Sequence, residues 1–425
     1  MNDHPTPLAP PDQTVRTLLE IVRRYGTPTY AFDLPRMRVQ VEKLQTQLPG
    51  EVEILYSLKA NASLGICDLF QECGIGTDVA SAGELATAIE SGFSQEKIFV
   101  AGPFKLPETI SQLLDTPRAI VSIDSLCEFR ALSEIGLRNP VVLRLRPDFG
   151  SCAVVRAGCD SRFGFTSEDV AACRQELADS DLNVMGFHVF AGSQILETEK
   201  VIDHLTRSVD LSLKAAQTLG ITAALVNLGG GFGIPYSPQE KEIDMAAIGA
   251  ALARLVDRAA PARFVLELGR YLVAQGGWYL TSVVGHQTGQ GRPAVVVDGG
   301  VHQRADMCGL KLRTDANPPV VLNGTTDSLT PTDVWGCLSL PDDVLAESSL
   351  IPPPALGDVL AFANAGAYGV WSSPAMFHGS PLPAEVAFDG SALHVLRERK
   401  PAHSILEDQQ HILRKDVASL PGYKF

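Results

Sequence analysis

The stretch from Glu53 to Gly269 opens with EILYSLK (53–59) and then repeats one theme: a short apolar run, a polar turn, a helix-period segment, and another run. The later runs are GTDVAS (76–81), IFVAG (98–102), AIVSID (119–124), VVLRLR (141–146), VMGFHVF (184–190), ALVNLGG (224–230) and FVLELG (264–269). Between them lie segments such as SAGELATAIESGF (81–93), where Ser81 and Glu84 are placed as a capping box, and QEKEIDMAAIGAALARLVDRAA (239–260). Strands that read as continuous apolar runs are buried on both faces, the condition of a parallel sheet covered by helices. Eight of them alternating with helices predict an α/β fold built on a (β/α)8 TIM-type barrel; an open doubly wound sheet is the alternative.

After residue 275 the texture changes. WYLTSVVG (278–285), PAVVVDGG (293–300), PVVLN (319–323), DVLAFANAG (358–366) and AEVAF (384–388) are separated by Gly-, Pro- and Asp-rich turns. That pattern predicts a C-terminal, mostly antiparallel β domain. The early run TYAFDL (29–34) precedes the barrel strands and is assigned to the same domain. The predicted division is a barrel over 36–275 and a β domain made from 1–35 and 276–425.

The bulk properties narrow the function. A chain of 425 residues exceeds one ordinary core, and 45% hydrophobic with 20% charged residues is a globular composition. The formal net charge of −14 argues against nucleic acid or an anionic membrane as a main partner. No apolar run approaches the roughly 18 residues needed to cross a bilayer. The opening MNDHPTPLAPPDQT has neither a basic nor an apolar region of a signal peptide. The cysteines at 67, 73, 127, 152, 159, 173, 308 and 337 fall singly, with no CxxC pair, so reduced thiols, no metal site and a cytoplasmic location are expected.

In barrels of this kind the active site occupies the C-terminal ends of the strands, and the polar and glycine-rich residues collect there. Lys59 closes the first run. A lysine ending an apolar strand is partly desolvated, which lowers its pKa and suits it to a Schiff base; a lysine snorkelling to the rim looks the same. NLGGGFG (227–233) ends the seventh run. Its successive glycines either let backbone N–H groups approach an anion such as phosphate or simply make a tight turn. Glu267 and Arg270 close the eighth run in ELGR, as partners for a ring nitrogen and a phosphate or as a rim ion pair. His188 shares a strand face with Phe190, packed or functional. Jointly, the lysine, the glycine nest, the Glu–Arg pair and the His-then-Gly-Ser segment match the needs of a phosphate-bearing, lysine-linked pyridoxal cofactor.

YSLKAN (56–61), GTDVASAGEL (76–85), GSQ (192–194), the glycine run, ELGR (267–270), GCLSLPDDVL (336–345) and NAGAYG (364–369) occur in this order. Together they resemble the fold-type III pyridoxal 5′-phosphate (PLP) decarboxylases, the group of diaminopimelate, ornithine and arginine decarboxylases. The resemblance spans about residues 25 to 390. It implies that Lys59 is the Schiff-base lysine and that Asp78 lies near the cofactor. It further implies that Ser193, Gly229, Gly230, Gly231, Arg270 and Tyr368 surround the phosphate, and that Glu267 pairs with the pyridine nitrogen. Cys337 would be the catalytic cysteine, reprotonating the carbanion as a general acid once CO2 has left. A homodimer is implied, in which Cys337 and Tyr368 complete the site of the other subunit.

Three positions depart from the family pattern. Phe190 stands where a histidine usually stacks on the cofactor ring, so His188 or Phe190 would take that place. Leu338 follows the cysteine where diamine-forming members carry an acid that reads a distal amine, and burying an ammonium against leucine is costly. VHQRADMCGLKLR (301–313) lacks the Arg-Pro-x-Leu-Tyr element of diaminopimelate decarboxylases. ELGRYLV (267–273), the segment 366–386 and RERKPAHSILEDQ (397–409) resemble a subgroup of secondary metabolism and exosortase-type clusters. One branch of it decarboxylates glutamate tethered to an acyl carrier protein.

The expectation is therefore a biosynthetic, homodimeric, PLP-dependent amino acid decarboxylase acting on a free or carrier-bound amino acid. Arg304, Lys311 and Arg313 are the basic residues expected to meet an acidic carrier. The alternatives are diaminopimelate decarboxylase, an amino acid racemase and a non-catalytic PLP-binding homologue.

Overall fold

The computed structural model describes residues 8–150, 161–289, 291–304, 317–324 and 328–409. The first strand, β1 (Thr29–Asp33), joins the second domain, as TYAFDL suggested. The next eight are β2 (Val52–Ser57), β3 (Gly76–Val79), β4 (Ile98–Val100), β5 (Ile120–Ile123), β6 (Pro140–Leu145), β7 (Asn183–Val189), β8 (Leu225–Gly230) and β9 (Arg263–Leu268). They close into a parallel barrel in sequence order, β9 returning to β2 with Leu55 opposite Glu267 and Tyr56 opposite Leu268. The open-sheet alternative is thereby excluded.

Alternation along the strands separates two packed layers. Leu55, Phe99, Ile120, Val142, Leu225 and Val265, from six different strands, form one buried cluster. Ile54 and Tyr56 on either side of Leu55 belong instead to the larger cluster shared with the helices. The smaller cluster is the plug of a filled barrel, above which the strand ends are free for chemistry.

Two helices show how local signals set their bounds. Ser81 Oγ accepts the Glu84 N–H at 3.2 Å, and the Glu84 carboxylate reaches back to the Ala80 N–H at 2.6 Å rather than to Ser81 itself. The segment 239–260 becomes helical only from Met245, because the Asp244 carboxylate accepts the Ala247 N–H at 3.0 Å and caps the helix there. The preceding charged residues stay in the connection.

The second sheet contains β10 (Gly277–Gly289), β11 (Arg292–Val297), β12 (Val320–Val321), β13 (Thr330–Trp335), β14 (Val344–Ile351), β15 (Val359–Phe362), β16 (Ala384–Phe388) and β17 (Leu393–Arg397). Its order is β14-β13-β11-β10-β1-β16-β17, with β15 pairing β10 and β12. Pairing is antiparallel except β1 with β16 and β11 with β13. A helix over Asp12–Tyr25 buries Leu18 and Ile21 in a cluster with Ala31, Trp278 and Val386. Among the described residues no helix is long and apolar enough to cross a membrane, and Cys67, Cys73, Cys127, Cys173 and Cys337 carry free thiols.

Candidate active site

Beyond β2 the chain turns through the short helix Leu58–Ala60, whose flanking residues are buried while the Lys59 side chain is 47% exposed. Tyr56 Oη donates to the Asn61 carbonyl at 2.8 Å and fixes the turn. Gly269, at the end of β9, packs so closely that a Cβ there would lie 2.9 Å from Ala60 Cβ. Lys59 Nζ thereby reaches to 3.9 Å from Asp78 Oδ2 on β3 and 5.7 Å from the centre of the Phe190 ring. The expected fall in its pKa does not occur. Desolvation does lower it, but the nearby Asp78, Tyr368 and Glu267 oxygens outweigh that and hold the ammonium above its ordinary pKa.

Asp78 and Glu267 are both buried, and their pKa values move in opposite directions. Burial and the proximity of Glu267 push the Asp78 carboxyl up. Burial also opposes the charge on Glu267, but His188, Lys59 and the Asn227 amide prevail and hold it well below the usual carboxylate range. Glu267 Oε1 accepts from Asn227 Nδ2 at 2.7 Å and lies 3.5 Å from His188 Nε2. His188 Nδ1 meets Ser122 Oγ at 2.9 Å, and burial lowers its pKa. His188 thus sits inside the barrel beside Glu267, with its ring edge-on to Phe99. Phe190 is the aromatic residue facing the end of Lys59.

The glycine run owes its composition to close backbone approach. A Cβ at Gly230 would lie 1.8 Å from the Glu267 carbonyl, and one at Gly231, where φ is +92°, would lie 2.2 Å from the Gly192 carbonyl. The second contact seats the Gly192–Ser193 loop against the run, and Ile195 N–H donates to the Gly231 carbonyl at 2.9 Å. Gly229 has φ +63°, but its N–H donates to Asn227 Oδ1 at 2.8 Å. Its contribution is therefore a turn conformation; that amide is already engaged.

Arg270 opens the short helix after β9, donates to Tyr236 Oη, and lies 4.8 Å from the centre of the Tyr368 ring. Tyr368, with φ +55°, donates its N–H to the Ala60 carbonyl at 2.7 Å. Tyr368 thereby lies against the barrel of its own chain. Asn61 Nδ2 bonds the Gly366 carbonyl and Asn364 Nδ2 the Pro235 carbonyl, so the NAGAYG segment is tied to its own barrel.

Cys337 stands apart. Its N–H donates to the Gly299 carbonyl at 3.1 Å and its Sγ lies 3.6 Å from the Asp298 carbonyl, contacts within the β domain. The residue is exposed, and partial burial together with Asp343 and Asp298 pushes its thiol pKa up. Asp343 accepts the N–H groups of Val301 and Leu338, each at 2.8 Å, and so shapes this loop. Arg304, expected on the surface, is 0% exposed. Its guanidinium lies 5.8 and 5.4 Å from the Tyr279 and Phe362 ring centres, because two aromatic faces shelter a weakly hydrated cation. Lys311 and Arg313 lie outside the described residues.

Reasoning from sequence missed Asn227, Tyr236 and Asn61. An asparagine inside the apolar run ALVNLGG was the available signal, since a buried amide must find partners.

These residues fit PLP. The ionised Glu267 suits a protonated ring nitrogen, and Arg270 and the glycine cradle suit a phosphate. Asp78 Oδ1 is buried with no hydrogen-bond partner among the described residues, while its Oδ2 lies 3.9 Å from Lys59 Nζ. Residues 34–274 match the family model described as pyridoxal-dependent decarboxylase, pyridoxal binding domain. The chain is 30% identical to an L-glutamyl-[BtrI acyl-carrier protein] decarboxylase of Niallia circulans over 92% of this chain and 95% of that protein. It is 29% identical to a diaminopimelate decarboxylase of Methanothermobacter thermautotrophicus over 92% and 93% of the two chains. A crystal structure of diaminopimelate decarboxylase from M. jannaschii superimposes with a TM-score of 0.84 at 24% identity, covering 92% of this chain and 94% of that one. With its barrel matched throughout and its rim residues suited to the cofactor, this chain belongs to the pyridoxal-dependent amino acid decarboxylases, with PLP as cofactor.

Proposed function

We propose that this enzyme decarboxylates an amino acid presented on an acyl carrier protein, with Lys59 as the point of cofactor attachment. The barrel over 36–275 binds the cofactor, and the β domain from 1–35 and 276–425 supplies the Cys337 loop. When bound, PLP supplies the electron-accepting ring that decarboxylation requires. Glu267 holds a proton at the ring nitrogen, and Asp78 and His188 stand beside it. Phe190, which faces the Lys59 amine, would lie against the ring. Ser193, Gly230, Gly231, Arg270 and Tyr368 hold the phosphate, with Gly229 setting the turn. Cys337, whose thiol pKa is raised, would serve as the proton donor to carbon.

The chain acts as a cytoplasmic homodimer in which Cys337 serves the partner's barrel. Two observations support this: the described contacts of Cys337 stay within the β domain, and Trp371, Met376 and Phe377, just after Tyr368, are 46%, 70% and 43% exposed. A second copy would cover them.

The observation that carries the substrate reading is Leu338. Half-buried and fixed through its N–H to Asp343, it offers no charge to a distal ammonium. A thioester-blocked end suits it, and the Niallia circulans relative is a decarboxylase of a carrier-bound glutamyl group. The test is CO2 release from the same amino acid offered free and loaded on a carrier protein at equal concentration. The loaded form is expected to react with the higher kcat/KM. Equal or better reaction of the free acid, or ready formation of lysine from diaminopimelate, would replace it with diaminopimelate decarboxylase.

A further inference from the structure

Asn227 lies in the middle of β8, is fully buried, and makes two hydrogen bonds that run in opposite chemical senses. Its Nδ2 donates to Glu267 Oε1 at 2.7 Å, and its Oδ1 accepts the Gly229 N–H at 2.8 Å. The orientation is forced. An ionised carboxylate only accepts and a backbone N–H only donates, so turning the amide over would break both bonds. An uncharged amide serves both ends, whereas an ionised carboxylate of the same size serves only one.

The two ends belong to different parts of the site. Glu267 is the carboxylate proposed for the ring nitrogen, while Gly229 begins the left-handed turn of the glycine run. Gly229 also sits against Phe190: a Cβ there would lie 2.6 Å from the Val189 carbonyl and 3.2 Å from Phe190 Cα. The turn that Asn227 holds therefore sets the backbone carrying the aromatic residue that faces Lys59.

Resting on the cofactor assignment above, we propose that Asn227 is a positioning residue that couples the two ends of the PLP site. Its donor orients Glu267 toward the ring nitrogen, and its acceptor fixes the glycine turn for the phosphate. The other charged groups around Glu267 are His188 on β7, Lys59 after β2 and Asp78 on β3, and none of them bonds the glycine turn.

Asn227→Asp separates the two functions. As a carboxylate it still accepts from Gly229 but cannot donate to Glu267, and it places a second negative charge there. When protonated it can donate again. Asn227→Leu removes both ends. The experiment strips and reconstitutes the full-length dimer with PLP. It measures the dissociation constant of PLP, the pH dependence of the visible absorbance, and the affinity of the stripped protein for inorganic phosphate.

Wild-type reconstitution tests the cofactor assignment, and the variant-to-wild-type ratios test this inference. Asn227→Asp should keep phosphate affinity within about twofold while PLP binding weakens roughly ten- to hundredfold, the scale of one charge-assisted hydrogen bond. Its absorbance titration should move, and the PLP deficit relative to wild type should shrink as the pH is lowered. Asn227→Leu should lose phosphate affinity as well. A PLP deficit in Asn227→Asp that is the same at every pH, or PLP affinity equal to wild type, would overturn the proposal even if Asn227→Leu does not fold.

Discussion

The Arg270 guanidinium lies 4.8 Å from the centre of the Tyr368 ring, which places the tyrosine of the β domain over the barrel of its own chain. The Tyr368 N–H bond to Ala60, beside Lys59, makes the same connection through the backbone. The two domains thus build one rim together, while the described contacts of Cys337 stay within the β domain.

That division makes a complementation experiment decisive. Mixing Lys59→Ala with Cys337→Ala subunits should restore up to about a quarter of wild-type activity, since half of randomly paired dimers carry one intact shared site. Mixing Lys59→Ala with Tyr368→Ala should give no more activity than the Tyr368→Ala enzyme alone supplies. Complementation in the second mixture would move Tyr368 back to the partner's site. Its absence in the first, with heterodimers shown to form, would remove Cys337 from a shared site.

Asp78 gives the cofactor-free protein a pH dependence with a definite sign. A carboxyl whose folded pKa is raised contributes stability that is complete below its unfolded value and lost as pH rises through the folded value. Burial and Glu267 raise Asp78, so the loss begins above about pH 4 and continues upward. Asp78→Asn abolishes it. Thermal denaturation of the stripped proteins at a series of pH values should show the variant gaining on wild type as pH rises. A constant difference would contradict the assignment.

Arg304→Ala should act on stability. The side chain is fully buried against Tyr279 and Phe362, and truncating it should cost roughly 2–4 kcal/mol through lost packing and cation–π contact. Chemical denaturation measures this. Unchanged stability with a higher KM for a carrier-bound substrate would restore Arg304 as a docking residue.

These cases show where the sequence was legible. The eight barrel strands were readable because burial on both faces leaves continuous apolar runs, and Lys59, Glu267 and Arg270 because they end such runs. The pKa of Lys59 was not readable: burial alone predicts a fall, and the opposing carboxylate on β3 is a neighbour only in the closed barrel. Arg304 read as surface charge because its aromatic shelter comes from β10 and β15, distant in sequence. The contact of Tyr368 with Arg270 was hidden for a related reason, since Arg270 lies nearly a hundred residues earlier. Asn227 was hidden by the glycines that follow it.

A buried lysine makes the central assignment sharply testable. Lys105 is almost completely enclosed, its Nζ bonded to the Ser122 carbonyl and 3.3 Å from Glu128 Oε1, and burial lowers its pKa. On pKa alone Lys105 would be the better candidate for cofactor attachment; on geometry it is Lys59, whose half-exposed side chain brings its amine to Phe190 and Asp78. Borohydride reduction of the holoenzyme, followed by peptide mapping, decides between them. A pyridoxyl group is expected on Lys59 and none after Lys59→Ala. A pyridoxyl group on Lys105, or on any lysine other than Lys59, would contradict it.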